Sequence, residues 1–289
     1  MLAAVLCFAI LDAVGKHLAQ TFPVPMLVWA RYNVHLLLML LFLAPTMRGR
    51  LLASRRPALQ VVRGLMLVGV TSFAIAAFRH LPLGETTALL FISPLIVALL
   101  ARPLLGETVG AGRWLAILGG FAGALLIARP GGAINLSGLL LVFGAALCYS
   151  IYQIQTRMLS PGEHPVTMVF YTALTGSIAS SLAAPLFWSG PAPDWRQALL
   201  IASLGVCGGV GHYFLARAFR LANASTLSPF LYVQLLWAAL LGGLFFEHWP
   251  DAVSLIGMFV IAVSSVAMAL MQSPRSAPKT PDQDRDKAC

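Results

Sequence analysis

Residues 83 to 107 read LGETTALLFISPLIVALLARPLLGE, a nearly uncharged run with a Gly-Glu pair at each end and one of its two prolines, Pro94, near its middle. At ~1.5 Å per helical residue, the stretch from Thr86 to Gly106 matches a hydrocarbon core of ~30 Å. Proline removes a backbone donor and frees the carbonyl one turn earlier, which lipid tolerates only where neighbouring helices or water complete it. The run therefore predicts a membrane helix that bends at Pro94 against the inside of a bundle, with Ser93 beside the bend.

The rest of the chain agrees, since 59% of its 289 residues are hydrophobic and only 10% are charged, against about 25% charged in soluble domains. Punctuation by charge, proline and glycine gives ten apolar segments, approximately 2–20, 24–46, 58–79, 84–106, 111–129, 136–158, 165–188, 196–218, 224–246 and 252–272. They are longer than the ~10-residue strands of an outer-membrane barrel and lack its alternation, so the expected class is an all-α membrane protein with ten transmembrane helices. Met1 to Ile10 has no basic region before it and no small-residue cleavage site after it, and reads as a first membrane helix that looks short at its amino end.

The net charge is +9. With the amino terminus inside, the cytoplasmic side collects 14 of the 19 Lys and Arg residues, Arg63 among them, and the outer side keeps Lys16, Arg31, Arg79, Arg129 and Arg196. That asymmetry predicts an inner-membrane, multi-pass protein with both termini cytoplasmic. No basic helix or aromatic-basic module points to nucleic acid. The tail, 273–289, is expected to be disordered. Cys7, Cys148, Cys207 and Cys289 show no C-x-x-C spacing and read as packing residues, with no metal implied. No G-x-x-x-x-G-K-[ST] loop occurs, so no nucleotide or other cofactor is expected.

A shift of 140 residues aligns Thr86 with Thr226, Leu95 with Leu235, Leu104 with Leu244 and Glu107 with Glu247, and a shift of 141 aligns Cys7 with Cys148. Two halves, 1–130 and 136–272, would each hold five helices, and an odd count inserts the second half upside down. That is the inverted-repeat plan of many secondary transporters. At this point "FRHLPLGETTALLFISPLIVALLARPLLGE" with "RWLAILGGFAGALLIARPG" resembles the first repeat of EamA-type proteins of the drug/metabolite transporter superfamily. "FLARAFRLANASTLSPFLYVQLLWAALLGGLFFEHWPD" with "LIG" resembles the second. The resemblance implies two inverted EamA repeats, a central cavity and alternating-access transport of a small organic metabolite, an amino acid or a related compound moved by export. Partners would be that solute and the lipid bilayer; the oligomeric state stays open.

Charged side chains within membrane segments cost ~2.5 to 3.5 kcal/mol on insertion scales, so each needs a partner or a wet cavity. Asp12 and Lys16, four apart, can offset each other, as an interfacial pair or as a gating or solute-contacting one. Arg31 and His35 share a face; Arg31 matches an arginine common at that place in the family and is either a solute contact or an interfacial anchor. Glu85 opens a helix, where it could serve as a cap, pair with Arg79, or bind a proton during transport. Glu107 and Glu247 read as structural helix ends.

Tyr149, Tyr152, Gln153 and Thr156 fall at i, i+3, i+4 and i+7 and gather polar groups on one face, which points to a cavity. With Ser93, Pro94, Arg31, Tyr232 and Trp237 they form the expected solute-binding set; Gln234, His212 and Tyr213 are weaker candidates. Leu139 and Leu140, at the start of the same helix, are expected to be packed. Gly119 with Gly123 and Gly205 with Gly209 are expected to be close helix contacts. An intramembrane enzyme is the rival reading, but neither H-E-x-x-H nor G-x-S-x-G is present, and no catalytic residue is expected.

Overall fold

The computed structural model describes residues 1–47, 51–105, 110–128, 135–187, 191–221 and 230–271. Among these the chain is helical, with no strand. Its helices are α1 (Leu2–Leu18), α2 (Val24–Phe42), a single turn α3 (Ala44–Met47), α4 (Pro57–Ala77), α5 (Leu83–Leu90), α6 (Ser93–Leu105), α7 (Ala111–Ala128), α8 (Leu136–Leu159), α9 (Pro165–Phe187), α10 (Trp195–Leu221), α11 (Val233–Phe246) and α12 (Ala252–Leu270). Five of them, α2, α4, α8, α9 and α10, are long and apolar enough to cross a membrane, and α5–α6, α7, α11 and α12 are shorter apolar helices. The ninth expected segment, from 224, falls partly on residues outside the described ones, as do Glu107, Arg129 and the tail after 271.

The helices pack in matched pairs. Helix α4 lies along α8 and α9, and α10 lies along α1 and α2; α7 packs on α12, α2 on α9, and α5 on α11. Side chains fix the directions: His80 and Leu81 lie against Gly138, Phe73 against Gly144 and Cys148 against Gly69, so α4 and α8 are antiparallel. Phe8 lies against Gly211 and Leu11 against Gly208, so α1 and α10 are antiparallel too. The first end of the bundle holds the α1–α2, α4–α5 and α11–α12 turns; the second holds the α8–α9 turn and the link from α3 to α4.

Glycine permits the closest approaches. A Cβ on Gly205 would stand 2.4 Å from Val34 Cβ and 2.8 Å from the Arg31 carbonyl oxygen, and one on Gly123 would stand 2.8 Å from the Gly257 carbonyl oxygen. Both are distances no side chain tolerates, so these positions let backbones touch as the spacing predicts. Leu139 packs against the core, whereas Leu140 is 64% exposed, contrary to expectation. The start of α8 turns that leucine outward, as an apolar solvent permits.

Candidate functional site

The stretch around Pro94 is broken rather than bent. Helix α5 ends at Leu90 and α6 starts at Ser93, with Phe91 and Ile92 between them. Pro94 cannot donate to the Leu90 carbonyl; the Ser93 hydroxyl does so instead, at 2.5 Å. Two neighbouring helices complete the junction: Ser265 Oγ of α12 donates to the Phe91 carbonyl at 3.3 Å, and Ser150 Oγ of α8 lies 3.1 Å from the Ser93 carbonyl oxygen. Neighbours thus satisfy the freed backbone inside the bundle.

A second interruption faces it. Phe230 and Leu231 are helical, Tyr232 is a turn residue, and α11 follows. The Phe91 and Tyr232 rings stand 5.0 Å apart. Beside them Tyr149 and Tyr152 of α8 stack at 5.9 Å, and Tyr149 is within electrostatic reach of Tyr232. The structure therefore gathers Ser93, Pro94, Tyr149, Tyr152 and Tyr232 around two breaks in regular helix. Gln153 and Trp237 are half-buried and join no hydrogen bond among the described residues.

Arg63, counted with the cytoplasmic charges in the sequence reading, is instead buried within α4. Its Nε donates to Thr156 Oγ1 at 2.7 Å, Nη1 to the Met168 carbonyl at 2.9 Å and to Thr172 Oγ1 at 3.0 Å, and Nη2 to the Tyr152 hydroxyl at 2.7 Å. Both threonines direct their own protons at the carbonyl one turn back, at Tyr152 and Met168, which leaves a lone pair for the guanidinium. The guanidinium carbon also lies 4.4 Å from the Tyr152 ring centre, a cation–π distance. Gln60, one turn earlier on the same buried face, is fully buried with neither amide atom hydrogen-bonded. Signals for both were present, since Gln60, Arg63, Leu67 and Thr71 share a helix face. Proximity to a helix end hid them.

On α2, Arg31 and His35 face α10 where Gly208 and Gly209 leave room: added Cβ atoms there would stand 3.6 Å from Arg31 Nε and 3.0 Å from His35 Cδ2. The His35 and His212 rings lie nearly parallel at 6.0 Å, and Phe8 meets His212 edge-on at 5.0 Å. Buried His35 Nε2 has no hydrogen-bond partner. His212 is within electrostatic reach of both Arg31 and Arg63, which brings two guanidiniums to bear on one interior region. Asp12 of α1 accepts a hydrogen bond from Gln234 Nε2 at 3.0 Å and feels the field of Arg31.

The three remaining candidates lie at the first end, and two expected pairings are corrected there. Lys16 does not turn to Asp12; its Nζ donates to the Phe78 and Leu81 carbonyls at 2.9 and 2.7 Å, because it stands one turn nearer the unsatisfied carbonyls of a helix end. Arg79 does not meet Glu85; it donates to the Ala19 and Phe22 carbonyls at 2.6 and 2.7 Å and closes the end of α1. Glu85 makes no side-chain cap of α5. Its Oε1 lies 3.3 Å from Nε2 of half-exposed His248, while buried Oε2 is unpartnered.

Apolar helices long enough to cross a membrane, with interrupted segments and with tyrosines, arginines and histidines turned inward, mark an integral multi-pass membrane protein. Comparison with known proteins then makes the assignment specific. The EamA-like transporter family matches residues 1–129 and again 136–270, and the chain belongs to that family, within the drug/metabolite transporter superfamily. It is similar to a riboflavin transporter of Vibrio cholerae, 29% identical over 96% of this chain and 93% of that one. It is also similar to the pseudopaline exporter CntI of Pseudomonas aeruginosa, 30% identical over 91% of this chain and 92% of that one. An S-adenosylmethionine uptake transporter of Rickettsia bellii is 27% identical over 73% of this chain and 72% of its own. A solved crystal structure, 17% identical, superposes with a TM-score of 0.64 over 93% of this chain and 96% of that chain, a likeness of fold.

Proposed function

We propose that this protein is a secondary transporter that carries a small organic metabolite across the inner membrane by alternating access. The observation that carries this reading is the polar interior where the α5–α6 and Tyr232 breaks meet the Tyr149–Tyr152 stack. Irregular backbone at membrane depth lines solute sites in many transporters. Tyrosine rings and hydroxyls suit an amphipathic solute such as an amino acid or a related compound. Full-length similarity to a named exporter favours export.

Two inverted five-helix halves make the alternation possible in this reading. If α1, α2, α4, α5–α6 and α7 correspond to α8, α9, α10, α11 and α12, then α4 on α8 mirrors α10 on α1, and α4 on α9 mirrors α10 on α2. The pairs α2–α9, α5–α11 and α7–α12 map onto themselves. Rocking one half against the other would expose the interior first to one end and then to the other. The second end, with the termini, is taken as cytoplasmic.

The test is flux of labelled amino acids and related metabolites into sealed liposomes holding the purified protein and no ATP. Downhill or ion-driven flux that saturates is expected; an absolute requirement for ATP overturns the secondary-transport reading. For orientation, Cys289 left as the sole cysteine should react with an impermeant thiol reagent only after the cytoplasmic face is opened. Reaction in intact cells overturns that orientation.

A further inference from the structure

We propose that the solute carries an oxyanion, a carboxylate or a phosphate, and that Arg31 is the group that meets it, between α2 and α10 beside His35 and His212. The inference rests on the transport reading above and adds the charge class of the cargo. Three features of the interior support it.

The first is an imbalance of charge. Arg31 and Arg63 both act on His212, while among the described residues Asp12 is the interior carboxylate seen to feel Arg31. Lys16 and Glu85 lie within reach of one another nearer the first end. Hydroxyls, a carbonyl and a ring satisfy the donors of Arg63 without cancelling its charge. A guanidinium taken from water into a low-dielectric interior costs free energy unless acceptors, cavity water or an anion answer it, and an anion answers its charge as well as its donors.

The second is that the two guanidiniums differ in availability. Arg31 is half-buried, lies 5.8 Å from the Tyr32 ring, and makes no hydrogen bond among the described residues. Its planar fork of donors is open, and that fork matches an oxyanion in bidentate geometry. Arg63 is committed to its ligands and contributes charge rather than contacts.

The third is His35, buried, with Nε2 unpartnered on the same helix face as Arg31. Glycine at 208 and 209 keeps α10 from filling the space next to both side chains. Tyr149 and Tyr152 supply an aromatic wall, so the cargo would pair an oxyanion with an apolar or planar body.

The test compares probes of one shape that differ in charge: benzoate, phenyl phosphate, benzamide and benzylammonium. Melting of the purified protein in detergent and flux into proteoliposomes are measured for each. An anion should raise the melting temperature saturably and move across the membrane, and the tighter of benzoate and phenyl phosphate identifies the oxyanion. Arg31→Gln should weaken that apparent affinity roughly 10- to 100-fold, Arg31→Lys should restore part of it, and Arg196→Gln, an equal loss of charge at an exposed site, should leave it unchanged. The inference falls if benzamide or benzylammonium binds as tightly as the anions, if neither anion binds, or if Arg31→Gln folds and keeps wild-type affinity. Should Arg31→Gln fail to fold, the charge preference of the wild type decides. Flux of neutral or cationic probes alone overturns the oxyanion and spares the transporter, whereas no flux of any probe or of the amino-acid panel overturns the transporter itself.

Discussion

At the first end of the bundle Lys16 and Arg79 direct their charges at backbone carbonyls of turns, whereas in the interior Arg63 is held by three hydroxyls and one carbonyl, and Arg31, among the described residues, by no hydrogen bond. All four are cations in an apolar chain, yet their surroundings divide them. A helix end leaves carbonyls without intrahelical partners, so a cation there completes the fold and its ligands are always present. In the interior the helices satisfy most of their own carbonyls, and a cation is answered chiefly by side chains, as Arg63 is apart from its bond to the Met168 carbonyl, and, in the proposed cycle, by a visiting solute. A charge that closes a turn and a charge that awaits a ligand cannot be told apart by residue type; they are told apart by what surrounds them.

The largest test of that division is Arg63→Met. Thr156 and Thr172 keep their bonds to the carbonyls one turn back, so the helices should still form and the protein should melt near the wild-type temperature. Flux should fall roughly 10- to 150-fold, the scale of one charge-assisted hydrogen bond. A variant with wild-type flux would move Arg63 to the structural class. Arg79→Met should do the reverse. Removing it strips the donors from the Ala19 and Phe22 carbonyls, at ~1 to 3 kcal/mol, or about 2 to 10 °C in melting temperature for a chain of this size. Flux per folded molecule should be retained, and a selective loss of flux at unchanged melting would blur the distinction.

A smaller effect is expected for His248→Gln. The half-exposed histidine faces buried Glu85 across 3.3 Å, and because water reaches the histidine's side and screens the pair its contribution is about 1 kcal/mol. The melting temperature should change by less than about 4 °C. A large loss in flux would instead show that the Glu85 contact works in the transport cycle, one of the roles its position at a helix start left open. The polar face of α8 gives the smallest expected effect on flux. Tyr152→Phe removes only the hydroxyl that accepts from Arg63 and should leave the stack with Tyr149 intact, so it should weaken solute affinity modestly and lower melting by about 2 to 10 °C, the scale of one buried donor left without its acceptor.

The helices were legible from the sequence because span length and apolar content are local properties, and lipid enforces both. An irregularity at Pro94 was legible for the same reason, since a missing donor must be answered nearby and Ser93 was adjacent, but it read as a bend in one helix rather than the break between Leu90 and Ser93. The pairings were not. Asp12 and Lys16 stand at i, i+4 and looked like partners, but Asp12 meets Gln234, 222 residues away, and Glu85 meets His248, 163 residues away. Such contacts depend on how helices rotate against one another, which the periodicity of one helix does not fix. Arg63 was misread for a related reason. A charge a turn and a half inside a helix end can reach the interface or turn inward, and only the threonines of α8 and α9 decide which.

Those threonines also carry a consequence for the order of synthesis. The acceptors of Arg63 lie 89 to 109 residues further along the chain, and at ~5 to 20 residues per second they leave the ribosome roughly 5 to 20 s after it. The amides of Arg55 and Arg56 wait just as long for the Glu163 carboxylate, which they meet at 2.8 and 3.3 Å. During that interval α4 enters the membrane with an unanswered charge near one end. Its long apolar stem lets the guanidinium reach the interfacial water until α8 and α9 arrive. Insertion of the second half therefore draws this charge inward, and assembly of the interior becomes the last event of biogenesis.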